Sequence, residues 1–512
     1  MLVLAICVLA VTAPAVTITV TNTNDSGPGS LRQALAVAND GDTITFAVSG
    51  TITLTSSELL VGNSITISGP GAPNLAVNGN ANSRVFHVSL VGGGVTISGL
   101  TITNGHASGN YPDNSGGGIY NDHAVLTLNN CVIHGNYAAF WGGGIYNFGD
   151  SATLLTLNDC TVSGNDGAGI ANGGQAMVTL NSCTVTGNNG SGIYNIGGGY
   201  NPAAIVIANN STVSGNTAGY NELANGGGLY NAGGLYGGNA QVTLYNCTLS
   251  DNWASGSGGG IYSDAFGGSV GVWLNNCTVS GNTAANNDGG GISLHGNGVV
   301  VISNSTLSNN SAYSNGGGIF NTTETTPYGG NPTVNISNST LSGNSAPGGG
   351  IYNSASGGYG ATATLRNTIL KAGALGGNIH NVSGTIISQG YNLSSDDGGG
   401  YLTNQGDHIN TDPLLGPLQD NGGPTFTHTL LHGSPGINAG DPSFTPPPFY
   451  DQRGPGFDRV RNGRIDIGSF EVQEPAPTPT PTPTSTPRVT PTPRVRPTAR
   501  PHPAPVPRPV VR

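Results

Sequence analysis

The side chains able to do chemistry in this chain fall on a few repeated positions. Five cysteines, Cys131, Cys160, Cys183, Cys247 and Cys277, share one phase of a recurring segment whose other copies carry Ser211, Ser305, Ser339 and Thr368. A disulfide framework or zinc site needs clustered spacings such as CxxC, and the sequence has none. Exchange with serine and threonine asks only for a small side chain. The expectation is a buried row of free thiols behaving as small hydrophobes. Pairing of Cys131 with Cys160, or of Cys160 with Cys183, is the alternative. No metal and no cofactor is expected.

A second row is aromatic: Tyr120, Tyr146, Tyr194, Tyr230, Tyr262 and Tyr352, with Phe320 in the same phase and Ala171 and Ser293 interrupting it. Each ring follows an isoleucine or leucine. If that aliphatic residue points inward, strand alternation turns the rings outward on one face. Aligned rings can stack against sugars, so these seven residues form the candidate carbohydrate-binding site, with Trp141, Trp253 and Trp273 as candidates to join them. The competing expectation is that the rings stack on one another, at ~0.5–1.5 kcal/mol per pair.

Glycoside hydrolysis needs two carboxylates a few ångströms apart. Asp113, Asp122, Asp150, Asp159, Asp166, Glu222, Asp251, Asp264, Asp288 and Glu324 are scattered through the middle of the chain, and none recurs at one phase in neighbouring copies. His106, His123, His134 and His295 are isolated and are expected to be solvated. No catalytic residue is assigned.

What must position these rows is a repeat. GGGIYN stands at Gly116–Asn121, Gly142–Asn147 and Gly348–Asn353, GGGLYN at Gly226–Asn231 and GGGIFN at Gly316–Asn321. With looser copies, its aliphatic position recurs from 119 to 379 at a mean interval of about 29 residues. Between the boxes lie segments such as LTLNNCVIHGN and VTLNSCTVTGN, whose apolar residues alternate with the two-residue period of a strand. Each period holds about three short strands joined by Gly/Asn turns. One period cannot bury its own apolar face, so periods must stack, ~4.8 Å per coil. The fold expected is an all-β parallel solenoid of about thirteen coils over residues 43–388.

In these boxes the chain resembles the right-handed parallel β-helix of the pectin-lyase-like superfamily. GGGI-x-N followed by SGN also resembles the repeats of bacterial polymorphic outer-membrane and adhesin-type passengers. For catalysis the first resemblance implies an arginine base beside calcium-binding acids, or a set of NxD, DD, histidine and RxK. Here the helix body offers only Arg84, Arg366 and Lys371, near its ends, and DD falls at Asp396-Asp397 with no RxK. Neither set carries over.

The flanks differ in composition. Leu2–Val11 is apolar and Ala13-Pro14-Ala15 fits a cleavage site, so residues 1–15 are expected to be a signal peptide that carries Cys7 away. Residues 16–42 contain apolar positions 31, 34, 35 and 38 behind Ser30, a helix expected to cover the open first coil. Residues 389–473, with DPLLGPLQDNGGPTFTHTLLHGSPGINAGD, DQRG and DIGSFE, resemble a choice-of-anchor Q module. That resemblance implies a segment terminating the solenoid near a surface attachment. Within it, Arg453, Arg459, Arg461 and Arg464 alternate with Asp451, Asp458, Asp466 and Glu471, a pattern of ion pairs that orders a cap. Residues 474–512 are a Pro/Thr/Arg tail expected to be extended or disordered.

Composition agrees with stacking. Glycine contributes 86 of 512 residues and charged side chains only 8%. No lysine or arginine occurs between Val85 and Leu365, which excludes nucleic acid as a partner. A charge at a repeated position would meet its own sign one coil away, whereas asparagine forms ladders. The expectation is a secreted or cell-surface monomer without a membrane span in its mature form. It is expected to be non-catalytic, adhesin-like or polysaccharide-binding, with an extracellular polysaccharide or cell-envelope polymer as partner. The alternative is a polysaccharide lyase, epimerase or glycoside hydrolase acting on uronate-containing glycan.

Overall fold

Alternating apolar residues, with β-branched side chains between them, keep each short segment extended. The computed structural model describes residues 14–150, 152–199, 203–219, 224–234, 237–323 and 329–473; the signal-peptide and tail expectations lie almost wholly outside them. One coil shows the pattern. Strands Ile119–Asp122, Val125–Asn129 and Val132–His134 follow one another around corners. Ile119, Leu126, Leu128, Cys131 and Ile133 point inward and are at most 1% exposed. Each strand pairs in parallel with the next coil, Ile119 beside Ile145, Leu126 beside Leu155 and Ile133 beside Val162. Repeated along the chain, this makes three long parallel sheets of 14, 12 and 13 strands around one apolar core, a right-handed β-helix.

Corner chemistry explains the glycine and asparagine content. Asn130, Asp159, Ser182, Asn210 and Asn246 each take φ between 49° and 54°, a left-handed conformation that Asn and Asp tolerate. In the glycine box, Gly142 has φ +63°; Cβ atoms on Gly143 and Gly144 would lie 2.3 and 2.4 Å from carbonyl oxygens of the next coil. The box is glycine because neighbouring backbones touch there. Inward-pointing asparagines form ladders. From Asn136 through Asn165, Asn188, Asn216, Asn252, Asn282 and Asn310 to Asn344, each side-chain amide donates to the next side-chain oxygen at 2.8–3.0 Å. Asn121, Asn147, Asn172, Asn195 and Asn231 form a second ladder at 2.7–2.9 Å. The five cysteines are buried free thiols, and the Cys131 N–H donates to Cys160 Sγ at 3.4 Å.

Both ends differ from the sequence expectation. The first strand is Thr17–Val20, ahead of the helix and parallel to Thr43–Phe46, so the solenoid begins at Thr17 and not at Thr43. A four-residue strand without the glycine box carried no repeat signal. The helix Leu31–Val37 starts at Ser30, whose Oγ accepts the Gln33 N–H at 3.2 Å, and it buries Leu31 and Ala34 against the first coil. At the other end, Leu402 closes the core with Tyr401 packed beside it. Residues 412–473 do not extend the axis. They fold back along the outside of the third sheet, where Thr278 Oγ1 donates to the Phe426 carbonyl at 2.6 Å and Gln452 Nε2 to that of Cys277 at 3.1 Å. Ser308 Oγ meets His428 Nε2 at 2.9 Å, and the Ser469 N–H donates to Thr340 Oγ1 at 3.1 Å. Thr278, Thr306 and Thr340 are consequently buried, whereas Thr161, Thr184 and Thr212 in uncovered coils are half-buried.

Candidate functional site

Register places the second residue of each glycine-box strand directly above its counterpart, so the aromatic row forms as the spacing predicts. Ring centroids lie 5.3 Å apart for Tyr120–Tyr146, 4.5 Å for Tyr194–Tyr230, 5.3 Å for Tyr230–Tyr262 and 5.4 Å for Phe320–Tyr352. The row extends beyond the tyrosines to His87, 5.0 Å from Tyr120, and His380, 5.2 Å from Tyr352. The expected open platform does not exist. Tyr120, Tyr146, Tyr194, Tyr230, Tyr262 and Phe320 are each 3–9% exposed, and only Tyr352 is half-buried. Rings at coil spacing cover one another's faces, and Trp141, Phe148, Ile196 and Phe266 close the sides. Trp253 and Trp273 sit on other sheets and do not join the row.

The two interruptions are resolved differently. At Ser293, His295 two residues later fills the gap, 5.1 Å from Tyr262 and 5.5 Å from Phe320. At Ala171 the residue two positions later is Gly173, so that coil supplies no ring of its own. Phe148 stacks on Tyr146 at 5.5 Å and the Trp141 indole covers Tyr194 at 4.8 Å. Between them is a hollow of about 330 Å³, lined by Trp141, Tyr146, Phe148, Ala171, Gly173 and Ile196 among others.

A larger cavity opens on the other side of Trp141, and coil length creates it. From the ladder asparagine to the next aliphatic box residue the chain spends nine residues after Asn136, five after Asn165, five after Asn188 and thirteen after Asn216. Two short coils between two long ones leave a notch. Its floor is Asp166, Gly167, Asn189 and Gly190, with Tyr137–Trp141 as a wall and Gly219 at the opposite edge, and the cavity measures about 430 Å³. Phe140 is 47% exposed and Trp141 half-buried, with ring centroids 4.6 Å apart. His106 stacks behind Tyr137 at 4.5 Å. On the floor, the exposed Asp166 carboxylate accepts the Asn189 side-chain amide at 2.8 Å. The backbone is held by ladder bonds, Ala138 N–H to Asp166 O at 3.2 Å and Gly167 N–H to Asn189 O at 3.0 Å. This is a rigid, open, aromatic-walled cleft with hydrogen-bonding groups at its base.

Other chemistry-bearing groups are committed to structure. Arg84 is 3% exposed, bonded to Glu58 at 2.7 Å and to the carbonyls of Ser115 and Gly116. Burial raises the Glu58 pKa, but hydrogen bonds from His87 and the Arg84 charge outweigh it and hold Glu58 below its ordinary value. Arg366 pairs with Asp441, and Lys371 with Asp412 at 3.1 Å. Asp396 caps a turn, accepting from Gly398, Ser394 and Asn378. Burial raises the pKa of Tyr120, Tyr146 and Tyr230 far above the phenol range, which disfavours a tyrosinate base. Among the scattered acids, Asp264 accepts the Tyr262 hydroxyl at 2.7 Å and Asp288 the Asn315 amide, while Glu222 and Glu324 lie outside the described residues. No group of three or more metal-ligating side chains occurs among the described residues. Of the four C-terminal arginines, Arg453 pairs with Asp451 between the rings of Phe457 and Phe470, and Arg461 lies 3.8 Å from Asp458. Arg464 and Arg459 instead donate to backbone carbonyls.

The family model described as the right handed beta helix region matches residues 37–209 and 143–329. No curated protein matches the chain. Similar solved structures include the catalytic unit of a thermostable GH87 α-1,3-glucanase from Streptomyces thermodiastaticus strain HF3-3, 18% identical over 74% of this chain and 69% of that one, with a TM-score of 0.45. Pectate lyase Pel9A is 16% identical over 90% and 97%, TM-score 0.34. The A-module of mannuronan C-5 epimerase AlgE6 from Azotobacter vinelandii is 14% identical over 72% and 97%, TM-score 0.39. At these identities the likeness concerns fold and not chemistry.

Proposed function

Because the chain belongs to the right-handed β-helix family, whose coils supply a stiff rod with variable corners, we propose that it is a non-catalytic polysaccharide-binding protein of the cell exterior. The single observation that carries this reading is the notch beside Trp141. It combines an exposed aromatic wall, polar groups on its floor and a volume of about 430 Å³, within the ~300–1,000 Å³ range of ligand clefts. The seven-ring row enters this reading through Tyr194, whose ring lies 4.8 Å from the Trp141 indole and supports it. Export is proposed on Leu2–Val11 and the small-residue site after it, and attachment on the resemblance of residues 389–473 to an anchoring module.

A non-catalytic role is supported by the commitments of the cations: Arg84, Arg366 and Lys371 each hold a carboxylate. The test is a panel of soluble acidic and neutral polysaccharides incubated with the purified protein, read for binding by affinity electrophoresis and for turnover by reducing ends and unsaturated products. Binding without turnover is the expected outcome. New reducing ends or absorbance from unsaturated uronate would place the protein among the enzymes and overturn the reading.

A further inference from the structure

The notch carries information about the charge of its ligand. We propose that it takes an uncharged polysaccharide and discriminates against polyuronates, a conclusion that rests on the binding role proposed above. The nearest charge in the cleft is Asp166, exposed on the floor. No lysine or arginine exists from Val85 to Leu365, so no cation of the helix body faces the cleft from any neighbouring coil. Carboxylates are recognised by arginine forks or ammonium groups, and none of the described residues brings one within reach. A uronate chain lying in the notch brings its negative charge to Asp166 with nothing to offset it, and like charges at contact distance in a partly desolvated site repel.

An uncharged sugar chain meets the opposite situation. Its C–H face has Phe140 and Trp141 to lie against, the two rings meeting at 74° so that together they form a corner rather than a flat plate. Its hydroxyls have an anionic acceptor in Asp166 and a donor and acceptor in the Asn189 amide, the pairing that a polyol satisfies and an anion does not. The floor is two coils wide, ~10 Å at β-strand spacing. Its backbone is fixed by coil-to-coil hydrogen bonds, so little ordering is required on binding. The hollow behind Trp141 leaves the indole supported on Tyr194 at one side only, within a space that Ala171 and Gly173 keep open.

The experiment compares dextran, a soluble mixed-linkage β-glucan and galactomannan with alginate and polygalacturonate. Affinity electrophoresis at low and high salt would be run on wild type, Trp141→Ala, Ala171→Tyr and Asp166→Lys, each checked for folding by circular dichroism and thermal melting. The expected result is retention by at least one neutral polymer, insensitive to salt, and none by the acidic pair. Trp141→Ala should weaken that retention about tenfold or more, and Ala171→Tyr, which fills the hollow and displaces the indole, should also weaken it. Asp166→Lys is expected to admit alginate or polygalacturonate in a salt-dependent manner. If wild type binds the acidic polymers more tightly than any neutral one and Trp141→Ala abolishes this, the charge inference is overturned while the binding site stands. If the folded wild type retains none of the five polymers, both the inference and the binding role fall.

Discussion

Replacing Asn188 with alanine tests whether the buried asparagine ladder holds the coils together. Asn188 is 1% exposed and uses both ends of its amide. Its Nδ2 donates to Val162 O at 3.2 Å and to Asn216 Oδ1 at 2.8 Å, and its Oδ1 accepts from Asn165 N at 3.1 Å and Asn165 Nδ2 at 2.9 Å. Alanine orphans the Asn165 N–H in a dry interior, a cost of ~1–3 kcal/mol, and removes the remaining side-chain bonds at ~1 kcal/mol each net. The expected loss is about 4–6 kcal/mol, large against the ~5–15 kcal/mol that stabilises a typical domain. Asn181 belongs to a third ladder, at the half-exposed Asn129, Asn158, Asn181 and Asn209, with bonds just as short, 2.9 Å to Asn158 and to Asn209. Water replaces its partners, so Asn181→Ala is expected to cost under ~1 kcal/mol. Urea unfolding measures the totals. Since solenoids can open coil by coil, hydrogen exchange across Ile170–Asn195 provides the local readout. Asn188→Ala within 1 kcal/mol of wild type, or Asn181→Ala equally costly, would refute the burial reasoning.

Three other outcomes follow from the same geometry. Burial lowers the pKa of His428, against the opposing pull of the Gly416 carbonyl 2.7 Å from Nδ1. The unfolded imidazole, near 6.5, therefore protonates first, so the folded closing segment loses stability as pH falls below about 6.5; exchange protection in Leu415–Gln419 and Thr427–Leu430, relative to the intrinsic rate at each pH, should fall at pH 5, and much less in His428→Gln. Burial, with Asp466 beside it, pushes Glu471 up to about 8, so its contribution is complete below about 4.5 and is lost as pH rises through 8. Thermal midpoints should fall from pH 6 to pH 9 in wild type and stay flatter in Glu471→Gln. Hydrogen bonding to Cys131 and Cys183, with burial, raises the Cys160 pKa. Cys131, Cys160, Cys183, Cys247 and Cys277 should stay unreactive toward an aromatic disulfide reagent until denaturant is added, and any fast-reacting thiol among them contradicts the buried row.

Sequence periodicity made the coil legible because one residue type recurs wherever one backbone conformation recurs. The inward Ile119 and Cys131 phases, the Asn corners and the ring spacing all follow from it. Side-chain exposure does not. Alternation turns Tyr146 away from the core, but whether it then meets water depends on Tyr120 one coil back and Phe148 two residues on, which is a tertiary fact. The notch was legible in principle, as two five-residue spans between spans of nine and thirteen; a mean period near 29 hides it, because deviations from the period mark the cleft. Thr17–Val20 was invisible for the opposite reason, being a coil strand with no box. The fold-back of residues 412–473 also left little trace, since the threonines it covers are the same residues that face solvent elsewhere.

The most direct measurement uses Trp141 as its own reporter. In a Trp253→Phe, Trp273→Phe double variant, Trp141 is the only indole in the chain. Its fluorescence during titration with a neutral oligosaccharide, chosen from whichever neutral polymer the protein retains, is predicted to change saturably and to stay constant with oligogalacturonate at the same concentrations. A silent Trp141 while calorimetry on the same sample records neutral-sugar binding would put the site elsewhere and contradict the account.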